Sequence, residues 1–94
     1  MKIIHKQSDT KGAFEAFNDE GKMGEMTYSK AGDSMIIIDH TFVDEKFRGQ
    51  NIARQLLDTT VAFVRENRLK IKPLCPYAKR VMEKETERFK DVLV

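Results

Sequence analysis

The spacing of the apolar residues changes near Asn51, and this change limits the possible folds more strongly than any other feature of the sequence. From Asn51 onward, apolar residues recur at intervals of three and four, which is the repeat of one face of an α-helix. This face consists of Ile52, Ala53, Leu56, Leu57, Thr60, Val61, Phe63 and Val64. The opposite face consists of Arg54, Gln55, Asp58 and Arg65. The pattern predicts a helix of about four turns, which Asn67 can end by adopting a left-handed conformation.

The segment before this helix has the pattern of short strands joined by turns. The pattern predicts strands at residues 2–5, 14–17, 23–28 and 34–43, with turns at residues 18–21 and 30–33. The last of these strands is the most apolar, so we expect it in the middle of the sheet. The four strands together predict an antiparallel meander.

After the helix, a short strand at residues 70–72 ends at Pro73, which cannot donate a backbone hydrogen bond. Pro76 suits the first turn of a second helix, which carries Ala78, Val81 and Met82. We expect the tail to pack on the core through Phe89, Val92 and Leu93. The order of elements predicts an α+β fold, an α/β sandwich in which a mostly antiparallel β-meander is followed by helix, strand and helix.

Length and composition limit the class of protein. A chain of 94 residues can fill one hydrophobic core but not two, so we expect a single domain over residues 1–94. The longest apolar run, residues 35–38, is too short to span a bilayer, and no apolar signal-peptide core follows the N-terminus. The single cysteine, Cys75, excludes an internal disulfide framework and is typical of a reducing compartment, so we expect a cytoplasmic protein. With only Cys75 and two distant histidines, His5 and His40, the sequence predicts no metal site.

The loop Arg48-Gly49-Gln50-Asn51 connects the strand that ends at Val43 to the long helix. The first N–H groups of a helix have no intrahelical partner and carry partial positive charge, so a helix start is a natural phosphate site. Gly49 permits close approach of a ligand and unusual backbone angles, and Arg48 adds a positive charge with several donors. The same residues also fit a simple turn with a solvent-exposed arginine. Chemistry alone leaves both interpretations open.

Three sequence segments carry a resemblance to a known family. Val43-Asp44-Glu45-Lys46-Phe47-Arg48-Gly49-Gln50-Asn51-Ile52-Ala53 resembles the cofactor motif of the GNAT acetyltransferase superfamily, in which Val and four residues precede an Arg/Gln-x-x-Gly-x-Gly/Ala loop. The segments His40-Thr41-Phe42-Val43 and Pro73-Leu74-Cys75-Pro76-Tyr77 are similar to the short YjdJ-type branch of that superfamily. The part of the chain that carries these motifs is residues 34–85.

The resemblance implies that the cofactor is acetyl-CoA. Its pyrophosphate would bind to the loop residues Arg48, Gly49, Gln50, Asn51, Ile52 and Ala53, and its pantetheine arm and thioester would lie along Thr41, Phe42 and Val43. Asn51 occupies the position of the family's first loop glycine, and asparagine tolerates left-handed backbone better than most residues. A GNAT-like fold is implied, but without the two N-terminal helices that shape the acceptor pocket in larger members, because only a few residues separate Lys6 from Phe14.

The same resemblance suggests groups for catalysis near Pro76. Tyr77 is where many GNAT enzymes carry their general acid, and Cys75 would lie near the acetyl end of the cofactor, where it could accept the acetyl group. A helix start also favours the thiolate form of a cysteine. By analogy, the backbone N–H of Val43 could polarise the thioester carbonyl. The alternatives are an aromatic side chain that packs on the sheet and a small buried thiol.

His40 is a third candidate catalytic residue. The alternation of a strand puts it on one face with Ile38 and Phe42, where it could act as a general base or be a core histidine with satisfied hydrogen bonds. The carboxylates Asp39 and Glu25 are expected to be surface charges.

Two main hypotheses for function follow from these residues. The first is an acetyl-CoA-dependent N-acetyltransferase that acts on an unidentified amine of a small molecule or a protein. The second is a non-catalytic acyl-CoA-binding or sensing module on the same fold. A nucleic-acid-binding domain is a third hypothesis, but the net charge is only +2 and the basic residues are interleaved with acidic ones. We expect no membrane partner, and the oligomeric state cannot be read from the sequence.

Overall fold

The computed structural model describes residues 1–94 and contains one five-stranded sheet with helices packed against it. The elements are β1 (Lys2–Gln7), β2 (Lys11–Asn18), β3 (Gly21–Ala31), β4 (Met35–Val43), α1 (Ile52–Glu66), β5 (Lys70–Pro73), α2 (Pro76–Lys84) and α3 (Thr86–Phe89). The strands lie in the order β1-β2-β3-β4-β5, of which the first four are antiparallel, and β5 pairs with β4 in parallel. The predicted α+β fold is therefore confirmed, with the short helix α3 as an addition.

The strands are longer than the apolar pattern predicts, because backbone pairing continues past the last apolar residue of each strand. Lys30 and Ala31, which the sequence assigns to a turn, pair with β4. The turns are confined to residues 19–20 and 32–34. β3 is the central strand, whereas β4, which the sequence predicts for the middle, is paired on both sides only over residues 35–38.

The apolar face of α1 covers one face of the sheet, as the helical spacing predicts. Its buried residues are Ile52, Leu56, Leu57, Thr60, Val61 and Val64. They share one hydrophobic cluster with the inward side chains of the strands, among them Phe14, Met26, Ile36, Ile38 and Ile71. Met82 of α2 and the tail residues Phe89 and Val92 belong to the same cluster, so the predicted packing of the second helix and of the tail is confirmed. None of the helices combines the length and the apolar character that crossing a membrane requires.

The end of α1 differs from the prediction by one residue. Asn67 is not left-handed (φ −98°), and the left-handed residue is Arg68 (φ 56°). The Asn67 side chain instead donates a hydrogen bond to the Phe63 carbonyl at 2.9 Å. The chain then reverses at Arg68, so that the Leu69 N–H bonds to the Val64 carbonyl at 2.9 Å. This is the Schellman arrangement, which satisfies carbonyl groups that the helix end would otherwise leave without partners.

A β-bulge in β4 changes which face its later side chains occupy. Tyr28 of β3 pairs with Ile38, whereas the preceding residue, Thr27, pairs with His40, so Asp39 is an extra residue in β4. Beyond the bulge, each side chain of β4 therefore lies on the face opposite to the one that uninterrupted alternation would give it. The prediction that His40 shares a strand face with Ile38 is wrong, and so is the alternative of a core histidine, because His40 is exposed.

The face of the sheet opposite α1 has no helix over it. Its side chains, such as Glu15, Thr27 and Phe42, are half-buried or exposed. Only residues 8–10 connect β1 to β2, which confirms the prediction that no helices lie between the first strands. This open face is called the outer face below.

Candidate functional site

Local contacts hold the chain between β4 and α1 in a tight shape. The Asp44 side chain accepts a backbone hydrogen bond at 3.0 Å and begins a 3-10 turn over Glu45–Phe47. Phe47 is 7% exposed, so it anchors the loop in the core. Gly49 and Asn51 then have positive φ values of 85° and 63°. Asn51 is therefore in the left-handed conformation that asparagine tolerates better than most residues.

The first turn of α1 is open to a ligand. Asn51 is the N-cap residue, but its side chain makes no capping hydrogen bond, and the first turn contains no acidic residue. A Cβ at Gly49 would meet nothing within 4 Å, so glycine is needed there for its backbone angle and not because of crowding. A helix start in this state offers free N–H donors and partial positive charge to an anion.

A cavity of about 230 Å³ lies against this helix start. Its lining contains five of the six predicted loop residues together with one side chain from α2. The lining residues are Val43, Phe47, Arg48, Gly49, Asn51, Ile52, Ala53, Arg54 and Tyr77. Gln50 is exposed and does not line the cavity. The fold thus brings Tyr77 to the loop although the two belong to different elements.

A gap opens between β4 and β5 beside this cavity. Their pairing ends at Ile38 and Pro73, where the Ile38 carbonyl accepts hydrogen bonds from two backbone N–H groups of the following segment, each at 3.0 Å. β4 continues to Val43 without β5 beside it. Backbone groups alternate in direction along a strand, and the N–H of Asp44 bonds to β3. The backbone groups of Val43 and Thr41 therefore face the gap.

Cys75 lies at the closed end of the gap. It is the N-cap residue of α2, and its Sγ atom is 3.1 Å from the Thr41 Oγ1 atom. The thiol is 3% exposed, and its side chain does not cap the helix. The structure thus brings together Cys75 and Thr41, whose side chain the bulge turns toward the core. Phe42, in contrast, projects from the outer face and is 52% exposed.

Tyr77 lies in the first turn of α2, on the loop side of the gap. Burial raises the pKa of its phenol above the ordinary value, so the group stays protonated at neutral pH and can donate a proton. The Arg80 guanidinium lies 5.7 Å from the centre of the Tyr77 ring. These contacts orient the ring beside the cavity that the loop forms.

The predicted base lies on the other side of the sheet. His40 and Asp39 both line a groove on the outer face and not the cavity at the loop. Asp39 accepts a hydrogen bond from the Ser29 hydroxyl at 2.6 Å, and Glu25 pairs with Lys22. The structure therefore separates the candidate acid and the candidate base by the thickness of the sheet, with the gap between them.

A family model for GCN5-related N-acetyltransferases matches residues 13–92 of the chain. The chain belongs to the GCN5-related N-acetyltransferase family. A protein described as a GCN5-like N-acetyltransferase from Staphylococcus aureus, solved by NMR, is 35% identical, with a TM-score of 0.72 over 97% of this chain and 87% of that one. No curated protein matches the chain. The narrower assignment to the YjdJ-type branch stays a prediction.

More distant acetyltransferases share the fold. A ribosomal-protein-alanine N-acetyltransferase from Brucella melitensis biovar Abortus 2308 is 21% identical, with a TM-score of 0.71 over 84% of this chain. A protein described as a streptothricin acetyltransferase from Bacillus anthracis, solved in complex with acetyl coenzyme A, is 16% identical, with a TM-score of 0.61 over 71% of this chain. The chain spans only 63% and 39% of the lengths of these two proteins.

Two residues at this site, Arg54 and Glu85, are not predicted from the sequence. Arg54, assigned to the solvent face of α1, lines the loop cavity and donates two hydrogen bonds to Glu85, at 2.7 and 2.9 Å. The Arg54 guanidinium holds the pKa of the Glu85 carboxyl below its usual range. The pair joins the start of α1 to the end of α2. The sequence signals only the Arg54–Asp58 pair, which has the helical spacing of four residues.

Proposed function

We propose that this GCN5-related protein binds acetyl-CoA at the start of α1 and transfers its acetyl group to an amine that approaches from the outer face. One observation carries the proposal: the uncapped helix start at Asn51 lies beside the gap between β4 and β5, so an anion site and a slot for an extended arm adjoin. In the proposal, Arg48, Gly49, Gln50, Asn51, Ile52 and Ala53 hold the pyrophosphate. Thr41 and Val43 line the arm through their backbone, and Phe42 borders the outer mouth of the gap.

Acetyl-CoA supplies an acetyl group that is activated as a thioester. Transfer forms a bond between the amine nitrogen and the acetyl carbon, breaks the carbon–sulfur bond, and moves one proton from the amine to the leaving thiolate. His40, on the outer face, accepts the proton from the amine, and Tyr77, on the inner side, donates one to the thiolate. The Val43 N–H stabilises the charge that develops on the carbonyl oxygen. Their separation across the sheet supports these two roles.

A covalent route through Cys75 is a second hypothesis. It is favoured by the position of the Sγ atom beside Thr41 at the end of the gap. In this route the Cys75 sulfur attacks the acetyl carbon, and the Cys75 proton passes to coenzyme A, which leaves as the thiol. The amine nitrogen then attacks the acetyl carbon, the bond between that carbon and the Cys75 sulfur breaks, and the proton that the amine loses restores the Cys75 thiol. Intact mass after incubation with acetyl-CoA tests the route. An added acetyl mass that is absent in Cys75→Ala supports it, and unmodified wild-type protein refutes it.

The cofactor site and the reaction have separate tests. Titration with acetyl-CoA should shift the amide signals of residues 41–54 in an NMR spectrum, and unmoved signals would reject the site. Release of coenzyme A in the presence of an amine library measures transfer, and Tyr77→Phe and His40→Gln should each slow that release without preventing binding. Saturable binding with no release of coenzyme A under any condition would instead indicate a binding or sensing module.

We also propose that residues 1–94 act as one domain in the cytoplasm. The inward side chains of the sheet, the helices and the tail form a cluster of 19 buried residues, which supports a single cooperative unit. The free thiol of Cys75 supports a reducing compartment. A single unfolding transition by circular dichroism and by fluorescence would support the domain assignment.

A further inference from the structure

A groove of about 710 Å³ crosses the outer face of the sheet. The strand register identifies one row of side chains along it: Lys6 of β1 pairs with Ala13, Ala13 with Thr27, and Thr27 with His40 of β4. Neighbouring strands are about 4.8 Å apart, so the row is about 14 Å long between the Cα atoms at its ends. The groove therefore runs from the bulge in β4 to the edge of the sheet.

Small side chains form the floor of the groove, and its β4 end is acidic. Ala13, Thr27 and Ser29 lie between the ends, so the middle of the groove has no bulky group. The bulge directs both Asp39 and His40 into the β4 end, next to the gap. The Ser29 hydroxyl bonds to one oxygen of Asp39, and the other oxygen has no hydrogen-bond partner. This end suits an amine, which is a cation before it loses its proton.

The opposite end of the groove is basic. Lys6 lies 2.9 Å from Glu15, so its charge is partly neutralised. Lys11 also lines the groove, and its ammonium group makes no ion pair and no side-chain hydrogen bond. From the strand spacing and the register, Lys11 lies about 12 Å from His40 between Cα atoms. A free cation at this position suits an anionic group on the ligand.

We infer that the acceptor is a primary amine that carries a carboxylate or phosphate about 8 to 12 Å away along an extended chain, a separation set by the strand spacing. The inference rests on the proposed function, because it assigns the groove to the acceptor. The amine lies at Asp39 and His40, where it faces the gap, and the anion lies at Lys11. The two ends of the groove have opposite charges, and only a molecule with both charges at this separation complements both ends.

The inference is tested by binding, so that it does not depend on turnover. The probes form two pairs, each with an acidic and a neutral member. The first pair is 8-aminooctanoate and its neutral amide, and the second pair is the tripeptide amides Ala-Ala-Glu and Ala-Ala-Gln. Comparison of the two pairs distinguishes a small-molecule acceptor from a peptide acceptor. Each is titrated by calorimetry into the wild type saturated with coenzyme A. We expect the acidic member of at least one pair to bind about fivefold more tightly, which is the upper range for an exposed ion pair.

The variant Lys11→Glu should abolish this preference or reverse it. Lys90→Glu makes the same change in net charge at an exposed position outside the groove, and it should retain the wild-type preference. Equal binding of acid and amide by the wild type, or a preference that survives in Lys11→Glu, would overturn the inference. Failure of the proposed function has a different signature: coenzyme A would not bind when it is titrated into the protein before the probes, or acetyl-CoA would release no coenzyme A in the presence of an amine.

Discussion

Replacement of Gly49 by alanine tests whether the loop needs its left-handed backbone angle, because the substitution changes the backbone preference and introduces no clash. The φ value of Gly49 is 85°, and a Cβ there would meet nothing within 4 Å, so Gly49→Ala adds strain but no clash. Left-handed backbone costs an ordinary residue about 1–2 kcal/mol relative to glycine. If the variant loop keeps its shape, this energy appears as a lower free energy of unfolding. If the loop relaxes, the energy appears as a loss of acetyl-CoA affinity of about 5- to 30-fold.

Two measurements on the same protein separate these outcomes: urea unfolding gives the free energy of unfolding, and calorimetry gives the acetyl-CoA affinity. We expect the two losses to sum to about 1–2 kcal/mol. Gly32→Ala is the matched control, because Gly32 has a φ of 68°, also has nothing within 4 Å of a Cβ, and lies in the turn after β3. It should reduce stability by a similar amount and leave the affinity unchanged. Wild-type stability and wild-type affinity in Gly49→Ala would refute the role assigned to the loop conformation.

Three further variants follow from the same reasoning. Asn51→Gly should raise stability or acetyl-CoA affinity by a total of about 0.5 kcal/mol, since glycine adopts the left-handed angle freely; urea unfolding and calorimetry measure the sum. Gly12→Ala should destabilise by about 1–3 kcal/mol in urea unfolding, because its Cβ would lie 2.2 Å from the buried Tyr28 ring, and a change below 0.5 kcal/mol would contradict the packing. Burial lowers the pKa of His5 in the folded protein below 6.5, so protonation of His5 reduces the free energy of unfolding. That stability is complete above pH 6.5 and is lost as the pH falls through the lowered pKa; urea midpoints at pH 7.5 and pH 5 should therefore differ less in His5→Phe.

Local features of the chain predict much of the fold. The helix predicted from Asn51 to Asn67 is observed as Ile52–Glu66, because the apolar spacing that predicts it lies within the segment itself. The second helix begins at Pro76 for the same reason, since proline suits a first turn wherever the rest of the chain lies. The left-handed angle of Asn51 likewise agrees with a property of asparagine alone.

The faces on which the side chains of β4 lie cannot be predicted in this way, because they depend on how β4 pairs with β3. The alternation of one strand cannot reveal that β3 skips Asp39, and this one-residue change moves His40 from the core face to the outer face. The link between Arg54 and Glu85 is also invisible in the sequence, since it needs two helices to meet.

The amino-acid sequence by itself determined the order of the elements and the start of the long helix next to Asn51, because both depend on residues that are close together along the chain. The tertiary structure decided which side chains meet across the gap and along the outer groove. Those contacts join strands and helices that are far apart in sequence, and they depend on pairing register, which no single segment encodes.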